Sequence, residues 1–162
     1  PSGVQIAKDI AYGPDPRQKL DIYKPAHPAD RVLIYIPGGG FIGGGKDGDN
    51  SAGPFYSNIG NSLADHGVLT IIANYRLAPA HVYPAGARDV AAIVAWVRAN
   101  AVQHGGNPDR IVLYGQSAGA THCATYLFDP SLRGVGEVGV AAGILMSGPY
   151  KIEGELTGGT ID

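Results

Sequence analysis

Cysteine, charge and long apolar runs are all scarce in this 162-residue sequence. The single cysteine, Cys123, excludes an intramolecular disulfide framework and a cysteine-rich zinc site. No apolar run approaches the roughly 18 residues of a membrane-spanning helix, so no membrane span is expected. Charged residues are only 16% of the chain, with 12 basic and 14 acidic side chains and no basic run. Because nucleic-acid binding needs clustered positive charge, that class of partner is not expected.

Two further absences concern the cellular compartment. The chain has no Asn-x-Ser/Thr sequon and no basic-then-apolar leader, which is compatible with a cytoplasmic protein. Glycine, in contrast, is abundant, with 25 residues, about twice the average usage of roughly 7%. Apolar residues make up 44% of the chain, which excludes a disordered tail and predicts a packed core.

The hydropathy pattern alternates between strands and helices. Apolar and polar residues alternate over 4–10 and 18–23, which predicts two half-buried strands joined by a short turn. Continuous apolar runs predict strands buried on both faces at 32–36, 68–73 and 111–114, and one more apolar strand at 138–146. Helical spacing predicts helices from Phe55 to Gly67, over 85–104 and over 118–128. The order predicts an α/β fold with a mostly parallel sheet, helices on both faces and an antiparallel N-terminal edge.

The strongest chemical signal is the pentapeptide Gly115-Gln116-Ser117-Ala118-Gly119, at the junction of a buried strand and a helix. A Gly-x-Ser-x-Gly sequence in that context is typical of a nucleophile elbow, where the turn strains the serine backbone and exposes its hydroxyl. The flanking glycines lack the Cβ atoms that would collide across the turn. The alternative is that Ser117 is an ordinary helix N-cap between packing glycines.

A second signal is the glycine run Pro37-Gly38-Gly39-Gly40-Phe41, directly after the strand predicted at 32–36. Glycines there let backbone N–H groups approach the serine and stabilise the oxyanion that forms when an ester carbonyl is attacked. A flexible surface loop without chemistry is the alternative. The spacing Gly38-x-Gly40-x-x-Gly43, with Asp65 further on, also fits a dinucleotide-binding loop, but such a loop opens directly into a helix, and this one continues to Gly53.

These motifs occur in a recognisable order along the chain. Besides the two glycine motifs, they are Tyr75-Arg76-Leu77-Ala78-Pro79, Tyr83-Pro84-Ala85, Asp89 and Asn107-Pro108-Asp109-Arg110-Ile111. The chain resembles the α/β-hydrolases of the hormone-sensitive-lipase-like carboxylesterase group, and it is also similar to their arylformamidase-type relatives. The resemblance implies the α/β-hydrolase fold, a small-molecule ester as substrate and no cofactor. It assigns the nucleophile to Ser117 and the oxyanion hole to the N–H groups of Gly39, Gly40 and Ala118.

The sequence departs from this group at three places. Pro37 replaces the histidine of the usual His-Gly-Gly-Gly, Asn74 stands where aspartate is common, and Gln116 replaces an acidic residue inside the elbow. No metal pattern is present, since Asp47-Gly48-Asp49-Asn50-Ser51 lacks the glycine and glutamate that a calcium loop has at its sixth and twelfth places.

The catalytic acid and base are not evident in the sequence. Hydrolases of this fold place them after the serine, yet the 45 residues that follow Ser117 contain no suitable histidine. His81 is a weak candidate at the site mouth, and His122 is expected to point away from the elbow. We therefore expect the chain to be the N-terminal part of a single hydrolase domain, with the C-terminal strands missing. Its last apolar strand would then be an exposed edge that needs the C-terminal segment or a second chain.

Two other functions stay open from the sequence. The same site could hydrolyse amides or formamides in place of esters. A catalytically inactive binding module of the same fold is the second alternative, because Pro37 and the absent acid and base weaken the case for catalysis.

Overall fold

One six-stranded mixed sheet organises the chain, in the strand order β1-β2-β4-β3-β5-β6. The computed structural model describes residues 3–48, 54–132 and 138–151. The strands are β1 (Gln5–Ala11), β2 (Lys19–Lys24), β3 (Arg31–Ile36), β4 (Val68–Ala73), β5 (Ile111–Gln116) and β6 (Ala142–Met146). The helices are α1 (Phe55–Asp65), α2 (Ala85–Asn100) and α3 (Ala118–Phe128), with short 3₁₀ helices at Ala101–His104 and Pro130–Leu132.

Strand directions follow the predicted pattern. The strand β1 pairs antiparallel with β2, and β2 pairs antiparallel with β4, whereas β4, β3, β5 and β6 run parallel to one another. In the parallel part, Ile34 lies opposite Ile71 on one side and Leu113 on the other. The carboxyl ends of β3 and β5 therefore meet at one edge, which is where ligands bind in open α/β sheets.

Helices cover both faces of the sheet, as predicted. Alternate residues of β3 show this division: Ile34 packs in the cluster that includes residues of α2 and α3, whereas Tyr35 packs in the cluster that includes Ala64 of α1. A strand whose successive side chains are buried on opposite faces needs a continuous apolar run. That requirement explains the unbroken apolar sequence of β3.

The expectation that β2 is half-buried is wrong. Leu20, Asp21, Ile22 and Tyr23 are all buried, because β2 lies inside the sheet between β1 and β4, with packing on both faces. The polar residue that suggested a solvent-facing side is Asp21, and it is buried in an ion pair with Lys46. Alternation in the sequence thus reflects a buried charge and not exposure to water.

Two element ends also differ from the prediction. The α-helix predicted over 85–104 ends at Asn100 and continues as a 3₁₀ turn, which stops at Gly105 in a left-handed conformation. The strand predicted over 138–146 comprises only Ala142–Met146. It lies at the edge of the described sheet, with Ile144 47% and Met146 44% exposed, so the predicted exposed apolar edge is confirmed there. Of the helices in the described residues, none is both long and apolar enough to cross a bilayer.

Candidate active site

Ser117 stands at the sharp turn between β5 and α3. Its backbone has φ 53° and ψ −122°, a conformation that costs of the order of 1–3 kcal/mol for a residue with a side chain. A Cβ at Gly115 would lie 2.6 Å from the Cα of Ala120, and one at Gly119 would lie 2.2 Å from the carbonyl oxygen of Ile36. Both glycines are therefore sterically required, and the strained elbow predicted from the sequence is confirmed.

The hydroxyl of Ser117 does not cap the helix. The residue occupies the N-cap position of α3, but its side chain makes no capping hydrogen bond. Its backbone is fixed instead: the N–H donates to the carbonyl of Met146 at 2.8 Å, and its own carbonyl accepts from the N–H groups of Ala120 and Thr121. This serine therefore stands at the N-cap position without a side-chain cap. The hydroxyl lies at the N-terminus of an 11-residue helix, whose dipole favours developing negative charge.

The glycine loop after β3 lies directly against the elbow. The N–H of Gly38 donates to Oε1 of Gln116 at 3.3 Å, and a Cβ at Gly38 would lie 3.0 Å from the Cβ of Ser117. Oε1 of Gln116 also accepts from the hydroxyl of Tyr56 at 3.2 Å. No bridging role was predicted for Gln116, although its place inside the elbow was a usable signal. The structure thus brings Ser117 and the loop together.

Gly39 and Gly40 both adopt backbone conformations with positive φ, which favour glycine. Their φ values are 145° and 59°, and a Cβ at Gly39 would lie 2.0 Å from the carbonyl oxygen of Gly43. Within the part of the chain that the structure describes, the N–H groups of Gly39, Gly40 and Ala118 have no hydrogen-bond acceptor. The described loop runs on to residue 48 without entering a helix, so the dinucleotide-loop interpretation is wrong.

A buried lysine closes the far end of this loop. Nζ of Lys46 lies 3.1 Å from Asp21, and the two side chains are only 2% and 1% exposed. Asp9 and Asp47 lie 2.9 Å and 3.0 Å from the same Nζ. Burial acts to lower the pKa of Lys46, but the hydrogen bonds to the carboxylates raise it above its usual value. Lys46 is positively charged throughout the neutral range, and the sequence analysis missed its burial.

An apolar cavity of about 650 Å³ lies beside the glycine loop and α3. Its wall includes Phe41 from the loop and both Thr121 and Thr125 from α3. Since residues four apart share a helix face, these two threonines lie on one face of α3, whereas Ser117 is not among the residues that line the cavity. The rest of the lining is Arg76, Ala78, Pro79, His81, Val82, Tyr83, Gly86, His122, Pro149 and Tyr150.

His122 forms a buried, uncharged part of the cavity wall. Its ring centroid lies 5.3 Å from that of Phe41 and 4.7 Å from that of Tyr75, both in edge-to-face geometry. Burial lowers the pKa of His122 to about 4, against a smaller opposing effect of Asp89. Among the described residues, Nδ1 of His122 and the hydroxyl of Tyr75 have no hydrogen-bond partner. At neutral pH this imidazole is neutral.

The candidate histidines are not paired with the serine. His81 lines the cavity, and its Nε2 lies 3.3 Å from Oδ2 of Asp15. In the described ranges, neither His81 nor His122 hydrogen-bonds to Ser117, and no group of three or more His, Cys, Asp or Glu side chains is arranged to hold a metal ion. The calcium-like segment begins at Asp47, but Asp49, Asn50 and Ser51 lie outside the described residues.

Comparison with known proteins adds a family and a set of relatives. The model of the BD-FAE family matches residues 20–127. Esterase LipQ of Mycobacterium tuberculosis is 38% identical over 134 residues, which cover 77% of this chain and 30% of LipQ. A probable isoprenylcysteine alpha-carbonyl methylesterase of Oryza sativa is 33% identical over 138 residues, covering 82% of this chain and 30% of the relative.

Solved structures show the same architecture. Bacterial heroin esterase superposes with a TM-score of 0.62 at 31% identity, over 82% of this chain and 41% of that one. Esterase B of Lactobacillus rhamnosis has a TM-score of 0.69 at 24% identity, over 91% of this chain and 47% of that one, and this likeness concerns the fold alone. The chain thus spans about 30% of the length of these curated relatives and less than half of these structures.

Proposed function

The chain belongs to the BD-FAE family and has the α/β-hydrolase fold, and from this premise we propose that the protein is a serine hydrolase of small carboxylic esters. One observation carries the proposal: the strained backbone of Ser117 at the carboxyl end of β5, in contact with the glycine loop. The esterase names of LipQ and of bacterial heroin esterase support the same reaction class.

In the proposed reaction, Oγ of Ser117 attacks the carbonyl carbon of the ester. A histidine outside the described residues takes the hydroxyl proton and delivers it to the leaving alcohol, which completes an acyl-enzyme. The histidine then takes a proton from a water molecule that attacks the acyl carbon, and it returns this proton to Oγ of Ser117 as the acid is released. The N–H groups of Gly39, Gly40 and Ala118 donate to the oxyanion in both steps. Support for this role is that these donors have no acceptor among the described residues.

The cavity beside the site suggests which esters fit. Its wall is mainly apolar, and His122 within it is neutral at pH 7, so it suits an uncharged hydrocarbon group. We propose that the acyl or alcohol part of the ester lies there, between Phe41 and Thr125. A charged acyl group would lose its hydration in this cavity without gaining an ion pair from His122.

Labelling with a fluorophosphonate probe tests the proposal. The protein at its full natural length is treated with the probe, and the modified residue is identified by mass spectrometry. We expect label on Ser117 in the wild-type protein and none in Ser117→Ala. The control Ser57→Ala removes a serine hydroxyl that donates a hydrogen bond to the carbonyl of Pro54, and it should label at Ser117 as strongly as wild type. The absence of labelling in the wild-type protein would refute the mechanism and favour an inactive binding module.

Substrate comparison then separates esters from amides. We expect a short p-nitrophenyl ester to be hydrolysed faster than an N-formyl arylamine. Faster cleavage of the formamide would assign the site to amide chemistry instead.

A further inference from the structure

We propose that Lys46 is a positioning residue for the oxyanion hole. The inference rests on the proposed function, because it concerns the geometry of the N–H groups of Gly39 and Gly40. Lys46 does not reach the reacting atoms. It acts through the returning part of the glycine loop, which we call the return limb and define as Gly43–Lys46.

The return limb packs directly on the glycines that carry the proposed oxyanion donors. The N–H of Gly43 donates to the carbonyl of Gly39 at 2.9 Å. A Cβ at Gly39 would meet the carbonyl of Gly43 at 2.0 Å, and a Cβ at Gly44 would meet the carbonyl of Gly38 at 2.4 Å. Because there is no room for even a Cβ between the two backbone segments, a shift of the return limb is expected to move Gly38 and Gly39.

Three contacts attach the return limb to the sheet and to neighbouring segments of the same chain. The guanidinium of Arg17 donates to the carbonyl of Gly44 at 3.0 Å. The N–H of Lys46 donates to Oδ1 of Asn74 at 2.7 Å. The ammonium of Lys46 reaches Asp21, whose side chain lies buried in the sheet strand β2.

The ion pair of Lys46 is the strongest of these attachments. Its ammonium and the Asp21 carboxylate are both almost fully buried, and Asp9 and Asp47 supply further oxygens at 2.9 Å and 3.0 Å. Asp21 in turn accepts from the N–H of Asp9 at 2.9 Å, at a β-bulge in β1. A charge buried among carboxylates has one well-defined position, because leaving it would strand an unpaired buried charge. The ion pair and the hydrogen bond from the N–H of Lys46 to Asn74 together therefore fix the return limb relative to the sheet, and loss of either is expected to loosen it.

The test compares Lys46→Met with Lys8→Met. Lys8 lies 4.0 Å from Asp21 and 3.9 Å from Asp47, so the control removes a positive charge from the same cluster without removing a contact of the return limb itself. The readout is the second-order rate constant of fluorophosphonate labelling at Ser117, in the protein at its full natural length. We expect Lys46→Met to label about 10- to 100-fold more slowly, as for donors displaced by about 1 Å. KM for a p-nitrophenyl ester should stay unchanged while kcat falls, and Lys8→Met should match wild type.

A second pair of variants covers the case in which Lys46→Met does not fold. Asn74→Ala removes the acceptor for the N–H of Lys46 but leaves the buried ion pair intact, so it acts on the same limb with less damage. Asn74→Asp restores an acceptor oxygen at that place. We expect slower labelling in Asn74→Ala and recovery in Asn74→Asp, with melting temperatures that do not follow the labelling rates.

The outcomes separate this proposal from the proposed function. Wild-type protein that labels at Ser117, together with folded Lys46→Met or Asn74→Ala that labels equally fast, would overturn the positioning role alone. Equal losses in Lys46→Met and Lys8→Met would also overturn it, because they would indicate a general charge effect. Wild-type protein that does not label would refute the proposed function, and the positioning role with it.

Discussion

His122 should make the stability of this protein depend on pH in a defined window. Its ring is 6% exposed between Phe41 and Tyr75, and burial lowers its pKa in the folded state to about 4 from an ordinary 6.5. The unfolded chain therefore binds a proton at His122 before the folded protein does. Its stabilising effect is complete above pH 6.5 and is lost as the pH falls from 6.5 towards 4.

The size of the effect follows from the two pKa values. Each pKa unit corresponds to about 1.36 kcal/mol, so the complete loss would be about 3 kcal/mol. Between pH 7.5 and pH 4.5 the expected loss is about 2–3 kcal/mol, because protonation of the unfolded state is then nearly complete and that of the folded state has begun. This is a large fraction of the roughly 5–15 kcal/mol that stabilises a typical domain.

Urea unfolding at a series of pH values measures this contribution. The variant His122→Leu keeps an apolar side chain in the wall and removes the titrating group. The difference in unfolding free energy between wild type and variant isolates His122, since carboxylates and His104, whose pKa burial also lowers, are common to both proteins.

The refuting result is a pH-independent difference. If wild type and His122→Leu lose stability in parallel between pH 7.5 and 4.5, the pKa of His122 is the same in the folded and unfolded protein, as expected for a solvated ring. The neutral cavity wall proposed for substrate binding would then be wrong as well. A chemical shift titration of the His122 ring would give its pKa directly and check the same point.

Three other changes have defined outcomes. Gly119→Ala places a Cβ 2.2 Å from the carbonyl oxygen of Ile36, so it should lower the unfolding free energy by about 1–3 kcal/mol and abolish labelling of Ser117. Gly43→Ala, whose Cβ would have its nearest contact at 3.7 Å, should lower the unfolding free energy less. Arg76→Met leaves the buried carboxylate of Asp89 without its ion-pair partner at 2.8 Å and should lower the unfolding free energy by about 3 kcal/mol. Arg110→Met breaks an exposed ion pair with Asp30 and should lower it by under about 1 kcal/mol, and equal losses in the two variants would contradict the burial argument. Thr125→Phe fills the cavity and should raise KM for long-chain p-nitrophenyl esters but not for the acetate, and an equal effect on both would place the acyl group elsewhere.

Features that depend on neighbouring residues were readable in the sequence. The elbow at Ser117 is set by sterics within the turn and at its point of contact with β3, where Gly115 and Gly119 leave no room for a Cβ. The apolar runs of β3 and β4 likewise predict strands buried on both faces. Their order along the chain was enough to predict a mostly parallel sheet with an antiparallel edge, which the strand pairing confirms.

Contacts between distant residues were not readable in this way. Asp21 alternates with apolar residues as a solvent-facing residue would. Only the packing of the return limb shows that Asp21 is buried against Lys46, which lies 25 positions further along the chain. Gln116 bridges to Gly38 across 78 positions, and His122 is shielded by aromatic rings from two other segments. A sequence pattern encodes which face of an element is apolar, but the partner of a buried polar group is fixed only when the chain folds and excludes water around it. For this protein, the sequence alone determined the fold class and the candidate nucleophile, whereas tertiary structure decided which charges are buried and what holds the glycine loop against the serine.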